Sequence, residues 1–188
     1  RCSKLLWRPD GRVVRDYLVQ ARHIDPDTLR ANQVGADLGP AFLPRAAGLP
    51  RGGLAAVLPT HGPDGTVTYA QARYLDPADG RPKYDNPASR LATNPRVGWV
   101  ATPHERDGRH LIVCEGTIDA LSVATQGIAA VAVLGATYVD RRVAGEVLSH
   151  TNGRRVVLAF DGDRAGRTAT DTLTAELAAR STTPTVIA

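Results

Sequence analysis

The C-terminal half of the chain alternates short apolar runs with helical patterns, and this alternation limits its possible folds more than any other feature. The apolar runs have the length of strands and fall at 110–115, 129–134, 155–160 and 184–187. The segments between them have helical periodicity, at 117–126, 140–149 and 164–180. Such alternation is typical of βαβ units in a parallel sheet. We therefore expect a Rossmann-like α/β fold over residues 106–188.

The N-terminal half has the patterns of a smaller α+β subdomain, which we expect over residues 1–105. Residues 12–22 have helical spacing. Their apolar side chains share one face, at Val13, Val14, Tyr17, Leu18 and Ala21. A second helix should begin after Asp25, because this carboxylate can cap free N–H groups and Pro26 suits the first helical position. Residues 35–52 are rich in glycine and proline, which predicts a loop.

A β-hairpin is predicted in the middle of this half. Residues 53–60 and 66–75 form two strand-like runs, and Asp64-Gly65 between them is a strong turn signal. The next segment, 81–104, holds four prolines, so we expect it to be mostly irregular.

Two acidic motifs fall at the carboxyl ends of predicted strands, where open α/β sheets bind their ligands. Glu115 ends the first strand with Asp119 shortly after it, and Asp161 and Asp163 end the third. A carboxylate at the end of a buried strand is destabilising unless a cation pairs with it. If the two strands are neighbours, Glu115, Asp161 and Asp163 converge on one pocket, and such oxygen ligands suit Mg²⁺ or Mn²⁺.

The second motif, residues 161–166, is weak evidence when taken alone. It does not fit an EF-hand loop, because Ala165 and Thr172 stand where that loop needs ligands. Glycines at 162 and 166 would keep the turn tight. Asp119 alone would more often be a helix N-terminal charge favoured by the helix dipole than a ligand.

The two motifs together are far more specific. Glu115-Gly-x-x-Asp119-Ala, followed after one βα unit by Asp161-Gly-Asp163-x-x-Gly166, resembles the Toprim domain of primases, topoisomerases, and some nucleases and recombination proteins. The segments around these motifs look most like the DnaG-type primases of bacteria and phages, at 160–167 and 133–137. Three N-terminal segments are similar to the helical opening, first sheet and basic loop of the primase catalytic core, at 17–35, 58–75 and 81–87.

This resemblance implies a DNA primase core that makes short RNA primers on single-stranded DNA. Glu115, Asp161 and Asp163 would hold Mg²⁺ or Mn²⁺, with Asp119 as a further catalytic residue. Glu115 would be either a metal ligand or a general base. Nucleoside triphosphates and a template strand would be the substrates, and a replicative helicase, fused or separate, is a partner to be considered.

The resemblance also implies template- or nucleotide-binding residues in the N-terminal half: Arg73, Arg81, Lys83, Tyr84 and Asn86. Arginine and lysine can neutralise phosphates, tyrosine can stack on a base, and asparagine can hydrogen-bond to phosphate or sugar. Charge agrees with this division, since residues 1–105 carry 14 basic and 10 acidic side chains whereas residues 106–188 carry 9 of each.

The chain departs from the family pattern in three places. The second basic residue that usually follows the basic loop could be Arg90 or Arg96. A further acidic motif would fall beyond Ala188, and a zinc-binding module would precede Arg1. The chain also contains no methionine, and we expect it to be a segment of a longer protein.

Two other functions remain open, and topoisomerase is disfavoured because no tyrosine is placed convincingly as a nucleophile. One is a Toprim nuclease, which would use the same metals to admit water in place of a 3′-hydroxyl. The other is a non-catalytic DNA-binding module of a phage or plasmid replication protein.

Neither Cys2 nor Cys114 is in a metal-binding pattern, and Cys114 is expected to be buried and inert. We expect a cytoplasmic setting and no membrane-spanning segment.

Overall fold

Two β-sheets organise the chain, one in each of the units into which the computed structural model divides. The structure describes residues 1–43, 45–61, 65–76 and 82–187. The first unit runs from Arg1 to Asn94, and the second begins at Pro95. The sequence patterns suggest a boundary further along the chain, after residue 105.

Short helices form one layer of the first unit. They are α1 (Cys2–Leu6), a 3₁₀ turn (Pro9–Gly11), α2 (Arg12–Asp16), a π-helical turn (Tyr17–Ala21) and α3 (Pro26–Ala31). The predicted start of α3 is confirmed, since the side chain of Asp25 accepts a hydrogen bond from the N–H of Asp27 at 2.7 Å. This contact satisfies one of the free N–H groups of the first turn.

The predicted helix over residues 12–22 is confirmed, but its buried face is narrower than expected. Val14 and Leu18 are fully buried, whereas Val13 is 56% exposed and Ala21 is also exposed. The helix changes to π-helical hydrogen bonding at Tyr17, which alters the angular spacing of the side chains that follow. A constant helical period therefore placed Ala21 on the wrong face.

The sheet of the first unit is antiparallel in the order β1-β2-β3-β4. Its strands are β1 (Gly35–Leu38), β2 (Leu54–His61), β3 (Val67–Tyr74) and β4 (Tyr84–Asp85). The predicted hairpin is confirmed as β2 and β3, although Asp64 of its turn lies outside the described residues. The predicted loop over 35–52 is wrong at its start, where β1 pairs with β2. Gly35 permits close packing there, because an added Cβ would lie 2.6 Å from Cβ of Cys2.

The second unit contains the predicted βαβ units around a mostly parallel sheet, in the order β5-β7-β6-β8-β9. Its strands are β5 (Val97–Val100), β6 (Asp107–Cys114), β7 (Ile128–Val133), β8 (Arg155–Ala159) and β9 (Thr185–Val186). Its helices are α4 (Thr117–Thr125), α5 (Arg141–Ser149) and α6 (Arg164–Ala178), with a 3₁₀ turn at Ala136–Tyr138. The α/β fold class predicted from the alternating pattern is confirmed.

The segment expected to be mostly irregular contributes one strand to this sheet. β5 pairs antiparallel with the edge of β7, between Pro95 and Pro103, which cannot donate ladder hydrogen bonds. One face of the sheet packs on α5 and α6 through an apolar core. Its fully buried side chains include Val113, Val131, Val143, Val147, Leu158, Leu173 and Leu177. Within the described ranges, no helix has the length and apolarity needed to cross a membrane.

A histidine packs against the edge strand of this unit. The rings of Trp99, on β5, and His150, after α5, have centroids 3.5 Å apart. Nδ1 of His150 lies 2.5 Å from the carbonyl oxygen of Glu146 and donates to it. Burial lowers the pKa of His150 to about 4, so the neutral ring is the form that fits this site.

We expect acid to destabilise the second unit through His150. The unfolded chain binds a proton at the ordinary pKa of 6.5 and the folded chain only near 4, so the free energy of unfolding should fall as the pH drops across this interval. Urea unfolding of the Trp7→Phe protein, followed by Trp99 fluorescence, should show this loss, and His150→Gln should reduce it. Equal pH dependence in both proteins would contradict the assignment.

Candidate carboxylate site and basic cluster

Parallel pairing brings the two acidic motifs together at one edge of the second sheet. β6 and β8 are hydrogen-bonded neighbours, with Cys114 opposite Ala159, so their carboxyl ends lie side by side. The predicted convergence of the motifs required these two strands to be neighbours, and this requirement is met. Oε2 of Glu115 accepts a hydrogen bond from the backbone N–H of Asp161 at 3.3 Å, and this contact joins the two motifs directly.

The loop after β8 is shaped by a helix cap and one obligatory glycine. Oδ1 of Asp163 accepts a hydrogen bond from the N–H of Gly166 at 2.8 Å and caps α6. An added Cβ at Gly166 would lie 2.0 Å from the carbonyl oxygen of Asp161, so only glycine fits. The space around Gly162 is open, and the predicted need for glycine holds only at the second position.

The four acidic side chains differ in exposure. Asp119, Asp161 and Asp163 are exposed, and Glu115 is half-buried. The expectation that Asp161 and Asp163 are destabilised by burial is therefore wrong, because the loop carries them past the end of the strand into solvent. A penalty for burial applies to Glu115 alone.

The pKa of Glu115 is raised, first by burial of its carboxyl group. The hydrogen bond from the N–H of Asp161 opposes this shift, and the negative charges of Asp161, Asp163 and Asp119 add to it. Several negative charges thus surround Glu115 at this edge, and a cation there would relieve the repulsion between carboxylates.

The donor chemistry of this edge fits Mg²⁺ or Mn²⁺, since these hard cations prefer carboxylate oxygens. Among the described residues, no group of three acidic, histidine or cysteine side chains is already arranged to hold a metal ion. Binding would therefore require the exposed side chains of Asp161 and Asp163 to adjust towards Glu115. Mg²⁺ commonly keeps several waters and uses only one or two protein carboxylates, so a partly formed site is compatible with it.

Cys114, the residue before Glu115, contributes no reactive group. Its side chain is buried, as expected from the sequence. Burial and the negative charge of Asp119 raise the pKa of its thiol to about 12. The thiolate is the nucleophilic and metal-binding form, so this cysteine is inert at neutral pH.

Three of the predicted template-binding residues meet in the first unit. Arg73 on β3 lies opposite Tyr84 on β4, and its guanidinium carbon is 5.9 Å from the centre of the Tyr84 ring. The same carbon is 4.9 Å from the ring of Tyr17, and Nζ of Lys83 is 6.0 Å from the ring of Tyr84. Arg22 is also close, since its Nε donates to the hydroxyl of Tyr17 at 2.9 Å. We call these five residues the basic cluster.

Two cations of the basic cluster, Arg73 and Lys83, lie beside tyrosine rings rather than beside carboxylates. Neither Arg73 nor Lys83 forms an ion pair with a carboxylate of the described residues. Arg73 is only 7% exposed, and its Nε is buried without a hydrogen-bond partner among these residues. The tyrosine rings stabilise its charge in part through cation–π contacts. A phosphate would supply the missing negative charge.

Of the other two predicted residues of this group, Asn86 and Arg81, the structure describes only Asn86. Oδ1 of Asn86 accepts hydrogen bonds from the hydroxyl of Tyr69 and from Nε2 of Gln71, both at 3.0 Å. Arg81 lies outside the described residues.

Sequence reasoning missed the role of Tyr17, which was assigned only to a buried helix face. No local signal could have shown that its ring meets Arg73 on a distant strand.

Comparison with known proteins supports the resemblance found in the motifs. A Toprim-like family model (Toprim_2) matches residues 112–187, which include both acidic motifs. No curated protein sequence matches the chain.

Solved structures with a similar fold include domains of DNA primases. The zinc-binding and RNA polymerase domains of the Aquifex aeolicus primase are 24% identical with a TM-score of 0.68, and the match covers 92% of this chain and 48% of that one. A primase domain from Pseudomonas aeruginosa is 21% identical with a TM-score of 0.72, over 94% of this chain and 63% of that one. A DnaG primase catalytic domain bound to single-stranded DNA is 24% identical with a TM-score of 0.68, over 90% and 62%.

The chain spans between 48% and 63% of the length of these three structures. Their similarity extends over both units, and the family match falls on the second unit alone. The chain therefore has the fold of the DnaG primase catalytic core, with a Toprim-like segment at residues 112–187.

Proposed function

We propose that the chain is the catalytic core of a DNA primase, which synthesises short RNA primers on single-stranded DNA. The observation that carries this proposal is the contact between Glu115 and the backbone of Asp161 across the paired ends of β6 and β8. It joins the two motifs by which the chain resembles primases, at the sheet edge where ligands of α/β proteins bind. The likeness in fold to primase cores supports the same function.

The reaction is a nucleotidyl transfer. The oxygen of a 3′-hydroxyl attacks the α-phosphorus of a nucleoside triphosphate, the new P–O bond forms, and the bond to pyrophosphate breaks. The hydroxyl proton passes to a base, and the raised pKa of Glu115 suits this role. Mg²⁺ or Mn²⁺ at the carboxylates would stabilise the negative charge on the triphosphate and on the leaving pyrophosphate.

The four carboxylates at this edge would have different roles, because their surroundings differ. Glu115 is half-buried and held by the backbone of Asp161, so it is the least free to move. Asp163 uses one oxygen to cap α6, which holds its carboxylate at the sheet edge. Asp161 is exposed and can turn towards a bound cation, and Asp119 adds negative charge to the same edge.

The basic cluster would hold the phosphates of the template or of the incoming nucleotide. Lys83 is exposed and Arg73 is buried beneath the rings, so Lys83 would meet a phosphate first. Tyr84 is partly exposed beside it and offers a face for a base. The one relative described above as bound to single-stranded DNA is a primase catalytic domain, which supports this choice of template.

Replacing Glu115 by glutamine should have two effects on the melting temperature, one without metal and one on the response to metal. The raised pKa means that the charged carboxylate destabilises the folded state at neutral pH, so Glu115→Gln should raise the melting temperature without metal. It should also abolish any rise in melting temperature that Mg²⁺ or Mn²⁺ produces in the unaltered chain. Thermal melts with and without each ion measure both effects. An equal metal response in the two proteins would exclude Glu115 as a ligand.

Loss of Asp161 should abolish primer synthesis. We expect Asp161→Asn to reduce short RNA products at least about a hundredfold, because it removes a charged oxygen from the site that stabilises the triphosphate. Asp171→Asn is the matched control, since Asp171 is an exposed carboxylate on α6. The assay combines single-stranded DNA, labelled nucleoside triphosphates and Mg²⁺ or Mn²⁺, and melting temperatures verify folding.

The products of the same assay distinguish the three functions. RNA oligomers that Asp161→Asn lacks and Asp171→Asn retains support the primase. A shortened template would indicate a nuclease. Intact DNA binding with neither product would indicate a non-catalytic binding module.

The basic cluster should govern the salt dependence of DNA binding. If Lys83 neutralises one phosphate, Lys83→Ala should weaken binding and reduce the slope of log affinity against log salt by about 0.7, the value for one contact on a single strand. Lys4→Ala is the control, because Lys4 is the other lysine of the chain and is exposed on α1. Anisotropy of a labelled oligonucleotide over a range of salt gives both slopes. An unchanged slope for Lys83→Ala would contradict the assignment.

A further inference from the structure

An exposed aromatic side chain lies at the carboxyl edge of the second sheet. Tyr138 ends the 3₁₀ turn that follows β7, and β7 is the hydrogen-bonded neighbour of β6. Neighbouring strands lie about 5 Å apart, so this turn emerges from the same edge as Glu115. The turn also contacts α6, the helix capped by Asp163. Tyr138 is 53% exposed, and it is one of the large hydrophobic side chains of this unit that face solvent.

The turn holds this ring in a defined place. Ala136 and Val139 pack on the apolar core of the second unit, which anchors the chain on both sides of Tyr138. Gly135 has φ of +126°, and an added Cβ there would lie 2.8 Å from Cδ2 of Tyr138. The ring therefore lies against the backbone of Gly135, and a side chain at that position would displace it.

A guanidinium group completes the arrangement. The guanidinium carbon of Arg96 lies 5.8 Å from the centre of the Tyr138 ring. Its Nη1 donates to Oδ2 of Asp140 at 2.5 Å, while Oδ1 of the same carboxylate caps α5 by accepting from the N–H of Arg142. Arg96 has φ of +67°, a conformation that is unfavourable for a residue other than glycine. The structure thus maintains strain at the residue that supports the ring.

We propose that Tyr138, supported by Arg96, is a stacking platform for the base of a nucleotide whose phosphates lie at the carboxylate edge. The inference rests on the proposed function for the presence of a nucleotide at that edge. A fixed, half-exposed ring offers a π-face to any base, and the guanidinium of Arg96 interacts with the same ring through a cation–π contact. The base would belong either to the incoming nucleoside triphosphate or to the nucleic acid strand.

Binding without turnover tests this platform. The probes are ATP with Mg²⁺, tripolyphosphate with Mg²⁺ as the same charge without a base, and a single-stranded oligothymidylate. We expect Tyr138→Ala to weaken at least one of the two base-containing probes by about tenfold, in line with the loss of one stacked base. Tripolyphosphate binding should not change, and Tyr138→Phe should bind like the unaltered chain. Phe42→Ala is the control, because Phe42 is an aromatic residue of nearly equal exposure, 52%, in the first unit.

The pattern of losses decides between the sources of the base. Weaker ATP binding alone assigns the platform to the incoming nucleotide, and weaker oligonucleotide binding alone assigns it to the strand. Equal losses for ATP and tripolyphosphate, unchanged binding of all probes, or no binding of either base-containing probe by the unaltered chain would overturn the proposal. Because no primer is made in these measurements, a failure of the platform remains distinguishable from a failure of primer synthesis.

Discussion

The candidate site depends on the parallel pairing of β6 with β8. Each strand ends in an acidic motif, and the pairing of the strands brings the two motifs to one edge of the sheet. Pairing in register brings Glu115 against the backbone of Asp161, although the two residues are far apart in the chain. The buried side chains of both strands hold this register, because a slip of one residue would turn Val113 and Leu158 away from the core. Apolar packing on one face thus determines the electrostatics of the sheet edge.

That edge is an example of local instability that a ligand would relieve. Burial and three neighbouring negative charges oppose ionisation of Glu115, and one backbone N–H favours it. The other three carboxylates avoid a similar penalty because their loop and helix positions leave them in solvent. A bound cation would therefore stabilise the charged form of Glu115 most, and the exposed carboxylates could then turn towards the cation. The site is therefore compatible with a metal ion whose binding brings the exposed carboxylates into their coordinating positions.

The first unit presents the opposite electrostatic problem. Arg73 is buried against two tyrosine rings with no ion pair among the described residues, and Lys83 stands beside one of the same rings. The rings reduce the penalty for burying the guanidinium but cannot neutralise it. Clustered carboxylates thus lie at a sheet edge of one unit, and basic side chains beside tyrosine rings lie at a strand pair of the other.

The sequence by itself determined the elements and their order. The spacing of apolar residues predicted the βαβ units, Asp25 predicted the start of α3, and the paired acidic motifs predicted a Toprim-like fold. These signals are local, since a helical period, a cap or a strand end depends on residues close together in the chain. Only the tertiary structure decided that β1 is a strand, that Tyr17 meets Arg73, that Asp161 and Asp163 reach solvent, and that Tyr138 is held exposed. Each of these depends on contacts between distant segments and on how much surface they cover, which no local pattern encodes.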